Sequence, residues 1–195
     1  MDAAIDDIHE FWFGPLDAAG LAAPAQQKLW FGANEEVDAA LHQRFGPLVE
    51  RALAGELQHW SEDDRGLVAL VLLLDQFTRN IFRGTARAFA GDPRALALAR
   101  AAIAGQRHLR LPAVHRVFLY LPLEHREDLA TQDQCLRLFT ALEHSAGEAV
   151  AGFRRYAEAH REVIARFGRF PHRNAILGRE STVEELEHLA RHGGF

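Results

Sequence analysis

The sequence predicts an all-α protein, and three observations support this. Helix caps and helix-terminating glycines recur along all 195 residues, whereas no sustained alternation of apolar and polar residues is present. No Asn-Gly or Asp-Gly pair, the dipeptides that favour tight β-hairpin turns, occurs. No linker or low-complexity segment divides the chain. We therefore expect a single domain, residues 1–195, built from roughly eight to ten short helices stacked in antiparallel pairs.

Three helices are predicted in the N-terminal quarter of the chain. The first runs from about Ala3 to Trp12 and ends before Gly14-Pro15, and a short second helix carries Gln26 to Phe31. Asn34 is suited to cap the third helix because acidic residues follow it directly and favour the positive end of the helix dipole. Helical spacing of apolar residues continues across Gly46-Pro47, so this helix is either kinked or divided into two before it ends.

The next predicted helix is the central one because it is the most apolar. Ser61 and Asp64 have the spacing of a capping box, which predicts the start of a helix. The run from Leu67 to Leu74 contains eight consecutive apolar residues. A helix that is apolar on all sides is covered on all sides. We expect it to extend to about Phe77.

The remaining helices are predicted from caps and prolines. They run from Asp92 to Gly105, from about Ala113 to Leu121, from Leu123 to about His144, from Ser145 to Phe167, and from Ser181 towards the end of the sequence. Pro122 disfavours a helical conformation in the residue before it and therefore predicts a boundary there. Ser145 and Ser181 each precede a glutamate by three residues, which is the spacing of a capping box.

Composition excludes several classes of protein. Hydrophobic residues make up 48% and charged residues 25%, as in ordinary globular proteins. A net charge of −5 gives no overall attraction to nucleic acid, and the longest apolar run is far below the roughly 20 residues of a membrane span. The lone Cys135 excludes an intrachain disulfide and a cysteine-built zinc site. The acidic N-terminus lacks the order of a secretory signal, so a cytoplasmic location is expected.

Three polar segments stand out against this background. Arg166–Arg179 (RFGRFPHRNAILGR) contains four arginines and no acidic residue. Asp75–Gly84 (DQFTRNIFRG) repeats its order of a phenylalanine, an Arg-Asn pair and a glycine, and the third segment is Pro122–Asp128 (PLEHRED). We expect the three to meet in one polar site. The predicted ligand-binding residues are Asp75, Arg79, Asn80, Arg83, His125, Arg169, His172, Arg173, Asn174 and Arg179.

The third segment offers groups for proton transfer. If Pro122 opens a helix, Glu124 and Asp128 fall on one stripe, and His125 lies three residues before Asp128, within reach of it. A histidine beside carboxylates is the minimum for acid–base chemistry or for a metal site. His125, Asp128 and Glu124 are therefore the catalytic candidates, although the acids also suit a helix N-terminus without any catalytic role. No metal site is assigned.

The arginines allow two interpretations. Arg169, Arg173 and Arg179 could bind a carboxylate or a phosphate with their planar forks, or they could neutralise the acids of the third segment in a buried network. Asp75 and Arg79 have the spacing of a helical ion pair, so the same choice applies to them. No G-x-S-x-G, P-loop, G-x-G-x-x-G or H-E-x-x-H motif occurs, and those enzyme classes are unsupported.

Four long blocks in order resemble the bacterial domain-of-unknown-function family 924. They are FWFG at Phe11, LLDQFTRNIFRGTARAFAGD from Leu73, FLYLPLEHREDLATQ from Phe118 and RFGRFPHRNAILGRESTVEE from Arg166. Thr78 and Arg126 depart from the residues expected there, proline or serine at the first and serine at the second. The resemblance implies a tetratricopeptide-like, right-handed array of helix pairs. It implies no established activity, so it assigns neither catalytic residues nor a cofactor.

Three functions remain open at this point. The protein could bind a small anionic ligand, or the acidic end of a peptide, against arginines such as Arg79, Arg83, Arg169 and Arg173. It could be a hydrolase-type enzyme that uses His125 with Asp128 or Glu124. It could also be a scaffold that holds a protein partner, with the charged segments purely structural. Neither nucleic acid nor a membrane is an expected partner, and the oligomeric state is not indicated.

Overall fold

The computed structural model describes residues 2–30 and 34–195, and within these ranges the protein is all-α, as predicted. The end predicted for the second helix, Phe31, lies outside the described residues. The α-helices are α1 (Ala3–Phe13), α2 (Pro24–Trp30), α3 (Glu35–Ala54), α4 (Asp64–Leu72), α5 (Thr78–Ile81), α6 (Asp92–Ala104), α7 (Ala113–Glu124), α8 (Leu129–Ala146), α9 (Ala151–Phe167) and α10 (Val183–His192).

Local signals explain where the early helices begin and end. The side chain of Asn34 accepts hydrogen bonds from the first backbone N–H groups of α3, as its cap position predicts. Helix α3 then continues through Pro47 as one helix and ends at Gly55, whose φ of 87° only glycine adopts without strain. The alternative of two separate helices around Pro47 is therefore wrong.

The central helix is buried as predicted, but its cap is not the predicted one. Each residue from Leu67 to Leu74 is at most 1% exposed. The cap is Asp63, which accepts the backbone N–H groups of Arg65 and Gly66. Ser61 lies in the preceding 3-10 turn and donates its hydroxyl to the carbonyl of Gln58. The predicted capping box of Ser61 is wrong because a better acceptor, a carboxylate, lies two residues later.

The predicted boundary at Pro122 is also wrong. Helix α7 passes through Pro122, and His125 is its C-cap. Helix α8 begins only after Asp128, whose side chain accepts the backbone N–H of Thr131. The lost hydrogen bond of the proline is tolerated because α7 is buried among its neighbours over its whole C-terminal half. As a result, Glu124 and Asp128 belong to different helices and share no stripe.

The two remaining capping predictions each name the wrong residue as the helix cap. Ser145 lies inside α8 and donates to the carbonyl of Leu142, and a 3-10 turn precedes α9. Helix α10 does begin with a capping box, but its residues are Thr182 and Glu185, one position later than predicted. Ser181 accepts a hydrogen bond from the side chain of Asn174 instead.

The helices pack around α4 and α7. Helix α1 packs on α4, α4 contacts α7, and α8 lies between α7 and α9. The aromatic ring of Phe118 on α7 contacts those of Trp12, Phe13 and Trp30, which joins the first two helices to the core. No helix in the described part of the chain is long and apolar enough to cross a bilayer. The tetratricopeptide-like arrangement stays a prediction.

Candidate functional site

A wide helical turn brings the first acidic residue of the site into the protein interior. After α4 the chain forms a π-helical turn, Leu73–Phe77, before α5 begins. Such turns are rare, and they occur frequently at functional sites. The turn contains Asp75, whose side chain is fully buried, and Gln76, whose amide donates to Asp75 Oδ2 over 2.6 Å.

Asp75 holds the ring of His125. The distance from His125 Nδ1 to Asp75 Oδ1 is 2.7 Å, and Arg79 Nη1 lies 3.3 Å from the same oxygen. Burial opposes the ionisation of Asp75, but the charge of Arg79 and the contact with His125 outweigh it and lower the pKa of Asp75. An ionised carboxylate only accepts hydrogen bonds, so Nδ1 carries the proton. The other ring nitrogen of His125, Nε2, is left as an acceptor.

The histidine itself is uncharged at neutral pH. Burial lowers the pKa of His125, and the nearby charge of Arg79 lowers it further, although Asp75 acts in the opposite direction. A buried acid that binds one ring nitrogen fixes both the tautomer and the orientation of the imidazole. The pair of Asp75 and His125 therefore has the arrangement of an oriented general base.

Arg79 is fully engaged by the protein. Its guanidinium donates to both carboxylate oxygens of Asp92, over 2.7 and 3.0 Å, and to the backbone carbonyl of Asp75 over 2.8 Å. The Cζ atom of Arg79 lies 5.6 Å from the centroid of the Phe89 ring. A cation with two carboxylate partners has no need of a ligand, so Arg79 supports the network and is not a free binding group.

Arg173 is buried too, but it has no such partner. Nη1 donates to the backbone carbonyl of His125 over 3.0 Å, and the nearest carboxylate oxygen, on Asp92, is 3.9 Å away. Nε is buried and has no hydrogen-bond partner among the described residues. The guanidinium lies against the rings of Phe89 and Phe170, at 4.8 and 4.5 Å from their centroids. Burial and repulsion by Arg79 lower the pKa of Arg173 to about 10.

The other predicted arginines are paired elsewhere. Arg83 donates to Asp38 of α3, and Asn80 donates to the same carboxylate over 2.8 Å. Arg169 binds Glu185 of α10 through two hydrogen bonds of 2.7 and 2.9 Å. None of these residues lines the pocket described below. Arg83 and Arg169 are thus not brought together with His125.

The remaining predicted residues of Arg166–Arg179 and of Pro122–Asp128 are also held by other partners. Arg179 binds both oxygens of Glu127, and Asn174 donates to Glu185 and accepts from Arg179. His172 is only half-buried and contacts the rings of Phe170 and Phe195, not the carboxylates. Asp128, a predicted partner of His125, caps α8 and contacts Thr131 instead. The carboxylate that contacts His125 is that of Asp75, and not that of Asp128, which the helical spacing had indicated.

Glu124 is a buried acid close to Asp75, and its pKa is raised. It is buried, its Oε2 has no hydrogen-bond partner within the described part of the chain, and its Oε1 is 3.4 Å from Nδ1 of His160. Burial, together with the negative charge of Asp75, raises the pKa of Glu124 to about 8. Burial lowers the pKa of His160 to about 3, and its Nδ1 lies 2.9 Å from the carbonyl of Tyr156. Both groups are therefore uncharged at neutral pH.

A small pocket opens where His125 and Arg173 meet α6. Its volume is about 100 Å³. Its polar wall consists of Asp92, His125, Arg126, Glu127 and Arg173, and its apolar wall of Pro93, Leu96 and Pro122. Sequence reasoning missed Asp92, Pro93 and Leu96, since Asp92-Pro93 signals a helix start and nothing more. Among the described residues, no group of three or more histidine, cysteine or acidic side chains is placed to hold a metal ion.

Comparison with known proteins identifies the family. The model of a family described as bacterial protein of unknown function (DUF924) matches residues 8–193. The chain belongs to this family. Its structure is similar to that of a protein of unknown function, ATU0120 from Agrobacterium tumefaciens, with 39% sequence identity and a TM-score of 0.82 over 97% of this chain and 98% of that one. No curated protein matches.

The site of this DUF924 protein combines three chemical abilities. His125 can accept a proton, Arg173 can bind negative charge, and the wall around Leu96 can receive an apolar group. Buried polar atoms without partners are uncommon in proteins, and two of those in the described ranges, Glu124 Oε2 and Arg173 Nε, lie on residues of this site. The geometry therefore marks this region, more than any other polar cluster described, as a candidate for function.

Proposed function

We propose that this DUF924 protein binds a small anionic molecule in the pocket between His125 and Arg173. One observation carries the proposal, which is that Arg173 is a buried cation whose nearest carboxylate is 3.9 Å away. A buried charge is costly unless it is paired. An anionic ligand at this position would supply the missing partner.

The charges around the pocket favour an anion. Both carboxylates of its wall, Asp92 and Glu127, already bind an arginine through two hydrogen bonds, Arg79 and Arg179 respectively. Arg126 forms no ion pair with a described residue and lies exposed at the same wall as Arg173. Neither of these two cations donates a hydrogen bond to a carboxylate among the described residues. A volume of about 100 Å³ favours a small molecule over the end of a peptide.

A thermal-shift titration with acetate, propanoate, phosphate and sulfate tests the proposal. A ligand at a hundred times its Kd stabilises the folded state by about 2.7 kcal/mol, which raises Tm by several degrees. We expect this shift in the native protein and in Arg83→Met, which removes an arginine paired with Asp38 outside the pocket. We expect none in Arg173→Met. A shift that survives in Arg173→Met, or no shift with any anion, contradicts the proposal.

A second candidate function is acid–base catalysis of a hydrolase type, which the contact of 2.7 Å between Asp75 and His125 favours. In this proposal His125 Nε2 removes a proton from a water molecule that attacks the substrate, and Asp75 stabilises the imidazolium that forms. Asp75, and not Asp128, is then the partner of the histidine. Glu124, being protonated at neutral pH, is not the base.

A panel of carboxylic and phosphoric esters and amides tests this second candidate. Any hydrolysis found should be lost in His125→Gln and partly restored by added imidazole, while Asp128→Asn should leave the turnover of substrate unchanged. Hydrolysis that persists at full rate in His125→Gln rules out this assignment. No observation favours the scaffold hypothesis, in which the charged segments are purely structural, over the two proposals above.

The remaining proposals concern the chain as a whole. We propose that residues 1–195 form one domain with a tetratricopeptide-like arrangement and that the protein acts in the cytoplasm. In support of one domain, a continuous cluster of buried apolar residues extends from Ile5 on α1 to Ala157 on α9. Limited proteolysis that releases a stable fragment would count against it.

A further inference from the structure

We infer that the ligand of this pocket is a short 2-hydroxycarboxylate, which binds Arg173 through its carboxylate, His125 through its hydroxyl group and Leu96 through its carbon chain. The inference rests on the proposed binding of an anion. It adds the chemical class of that anion, which three features of the pocket specify separately.

The free edge of Arg173 specifies a carboxylate. Nη1 is occupied by the carbonyl of His125, whereas Nε and Nη2 make no hydrogen bond with a described residue. These two N–H groups point in parallel from one edge of the guanidinium, and this geometry matches the two oxygens of a planar carboxylate. The rings of Phe89 and Phe170 fix the plane of the guanidinium. Because Nε is covered, we expect a small rotation of the guanidinium on binding.

The tautomer of His125 specifies a donor on the ligand. Its Nδ1–H is committed to Asp75, so Nε2 presents a lone pair. A carboxylate oxygen at this position would be repelled, whereas a hydroxyl group would donate a hydrogen bond. Arg173 contacts the backbone carbonyl of His125, and both residues line the same pocket. A hydroxyl on the carbon next to the carboxylate is the arrangement that joins both groups in the smallest molecule.

The apolar wall and the volume limit the rest of the ligand. Pro93, Leu96 and Pro122 offer carbon surface and no charge, which suits a methyl or ethyl group. The volume of about 100 Å³ limits the ligand to a small molecule. A three-carbon acid is consistent with this space, and 2-hydroxypropanoate combines the carboxylate, the hydroxyl group and the methyl group.

Isothermal titration of the native protein with 2-hydroxypropanoate, propanoate and phosphate tests the inference without any variant. One extra hydrogen bond to a neutral acceptor strengthens binding roughly five- to tenfold. We therefore expect 2-hydroxypropanoate to bind tighter than propanoate by that factor, and phosphate to bind more weakly than both. Equal affinities of the two acids, or a preference for propanoate, overturn the role of the hydroxyl group.

Two variants locate the binding. Arg173→Lys keeps the charge but removes the parallel N–H groups, so 2-hydroxypropanoate should lose at least tenfold in affinity. Leu96→Ala shortens an apolar lining side chain and enlarges the space beside it, so 2-hydroxybutanoate should gain affinity relative to 2-hydroxypropanoate. An unchanged affinity in Arg173→Lys contradicts the inference.

The outcomes also separate this inference from the proposed function. If phosphate binds and Arg173→Met abolishes that binding, while neither carboxylic acid binds, the ligand class is wrong and the anion site stands. If none of the three anions binds to the native protein, both the ligand class and the anion site are wrong.

Discussion

The two segments that carry an Arg-Asn pair, residues 75–84 and 166–179, share one structural device. In each, the asparagine donates to a carboxylate on another helix, Asn80 to Asp38 and Asn174 to Glu185. In each, another arginine of the same segment binds that carboxylate too. The common device anchors each segment to a neighbouring helix, and it explains the similarity of the two sequences without any ligand.

The segments differ in the arginine of the pair. Arg79 binds two carboxylates, those of Asp75 and Asp92, whereas Arg173 binds a backbone carbonyl and reaches no carboxylate within 3.5 Å. The difference shows that similar local sequence does not imply a similar role. Arg79 is paired with carboxylates of the protein, whereas Arg173 donates no hydrogen bond to a described carboxylate.

The largest expected effect is on stability and tests this difference directly. Arg79→Met removes the cation that pairs with the fully buried Asp75 and the partly buried Asp92, and it should lower the free energy of unfolding by about 3–5 kcal/mol. Arg173→Met keeps most of the contact with Phe89 and Phe170 and removes a desolvated charge, so its cost should stay within about 1 kcal/mol. Urea unfolding measures the free energy of unfolding of both variants. Equal losses of stability would contradict the difference between the two arginines.

The second expected effect concerns pH and the buried Glu124. Its pKa is raised to about 8 in the folded protein, above its ordinary value of about 4.5. The folded state therefore holds a proton that the unfolded chain releases, and the stability contributed by this proton is present below about pH 4.5 and is lost as the pH rises to about 8.

Urea unfolding midpoints of the native protein and of Glu124→Gln between pH 5 and pH 8 measure this effect. Since the buried histidines also change stability with pH, the informative quantity is the difference in unfolding midpoint between the two proteins. We expect the midpoint of the variant to rise relative to that of the native protein as the pH rises. A difference that is constant with pH would mean that Glu124 is ionised in the folded state.

A smaller effect separates the two asparagines. Asn174 is fully buried, donates to Glu185 and Ser181, and accepts from Arg179, so Asn174→Ala should cost about 2–3 kcal/mol. The side chain of Asn80 forms one hydrogen bond with a described residue, Asp38, and its removal should cost about 1 kcal/mol. Chemical denaturation of the two variants measures both values, and the opposite order would contradict the network described for the second segment.

Much of this fold was accessible from sequence, because helices depend on local signals. The apolar run from Leu67 to Leu74 predicted the buried central helix, and Asn34 and Gly55 marked the ends of α3. The errors occurred where two local signals competed. At Pro122, burial outweighed the proline, and at Ser61 a nearby aspartate was the better cap.

The site was less accessible, because its partners are distant in sequence. The structure brings Asp75, Arg79, His125 and Arg173 together, as the expected meeting of three segments requires. Helical spacing nevertheless paired His125 with Asp128, since spacing registers only neighbours within one helix. The actual partner lies 50 residues away and is placed by a π-helical turn, for which the sequence carries no recognisable signal.

The smallest expected effect concerns the cap that holds the anchor of the second segment. The hydroxyl group of Thr182 accepts the N–H of Glu185, and the carboxylate of Glu185 returns to the N–H of Thr182. Thr182→Ala should cost about 1 kcal/mol. Ser181→Ala removes a hydrogen bond that does not cap the helix, so thermal unfolding should show a smaller loss. A larger loss in Ser181→Ala would restore the capping role that the sequence predicted for it.

The central claim is that Arg173, unlike Arg79, has an edge that is unpaired among the described residues and can bind a ligand. The Nε–H resonances of the arginines in an ¹⁵N-correlated NMR spectrum, assigned with Arg79→Met and Arg173→Met, report on both groups in one titration. Addition of 2-hydroxypropanoate should shift the Arg173 resonance in a saturable manner and leave that of Arg79 in place. An Arg173 resonance that does not move at saturating anion, or equal shifts of both, would contradict the account.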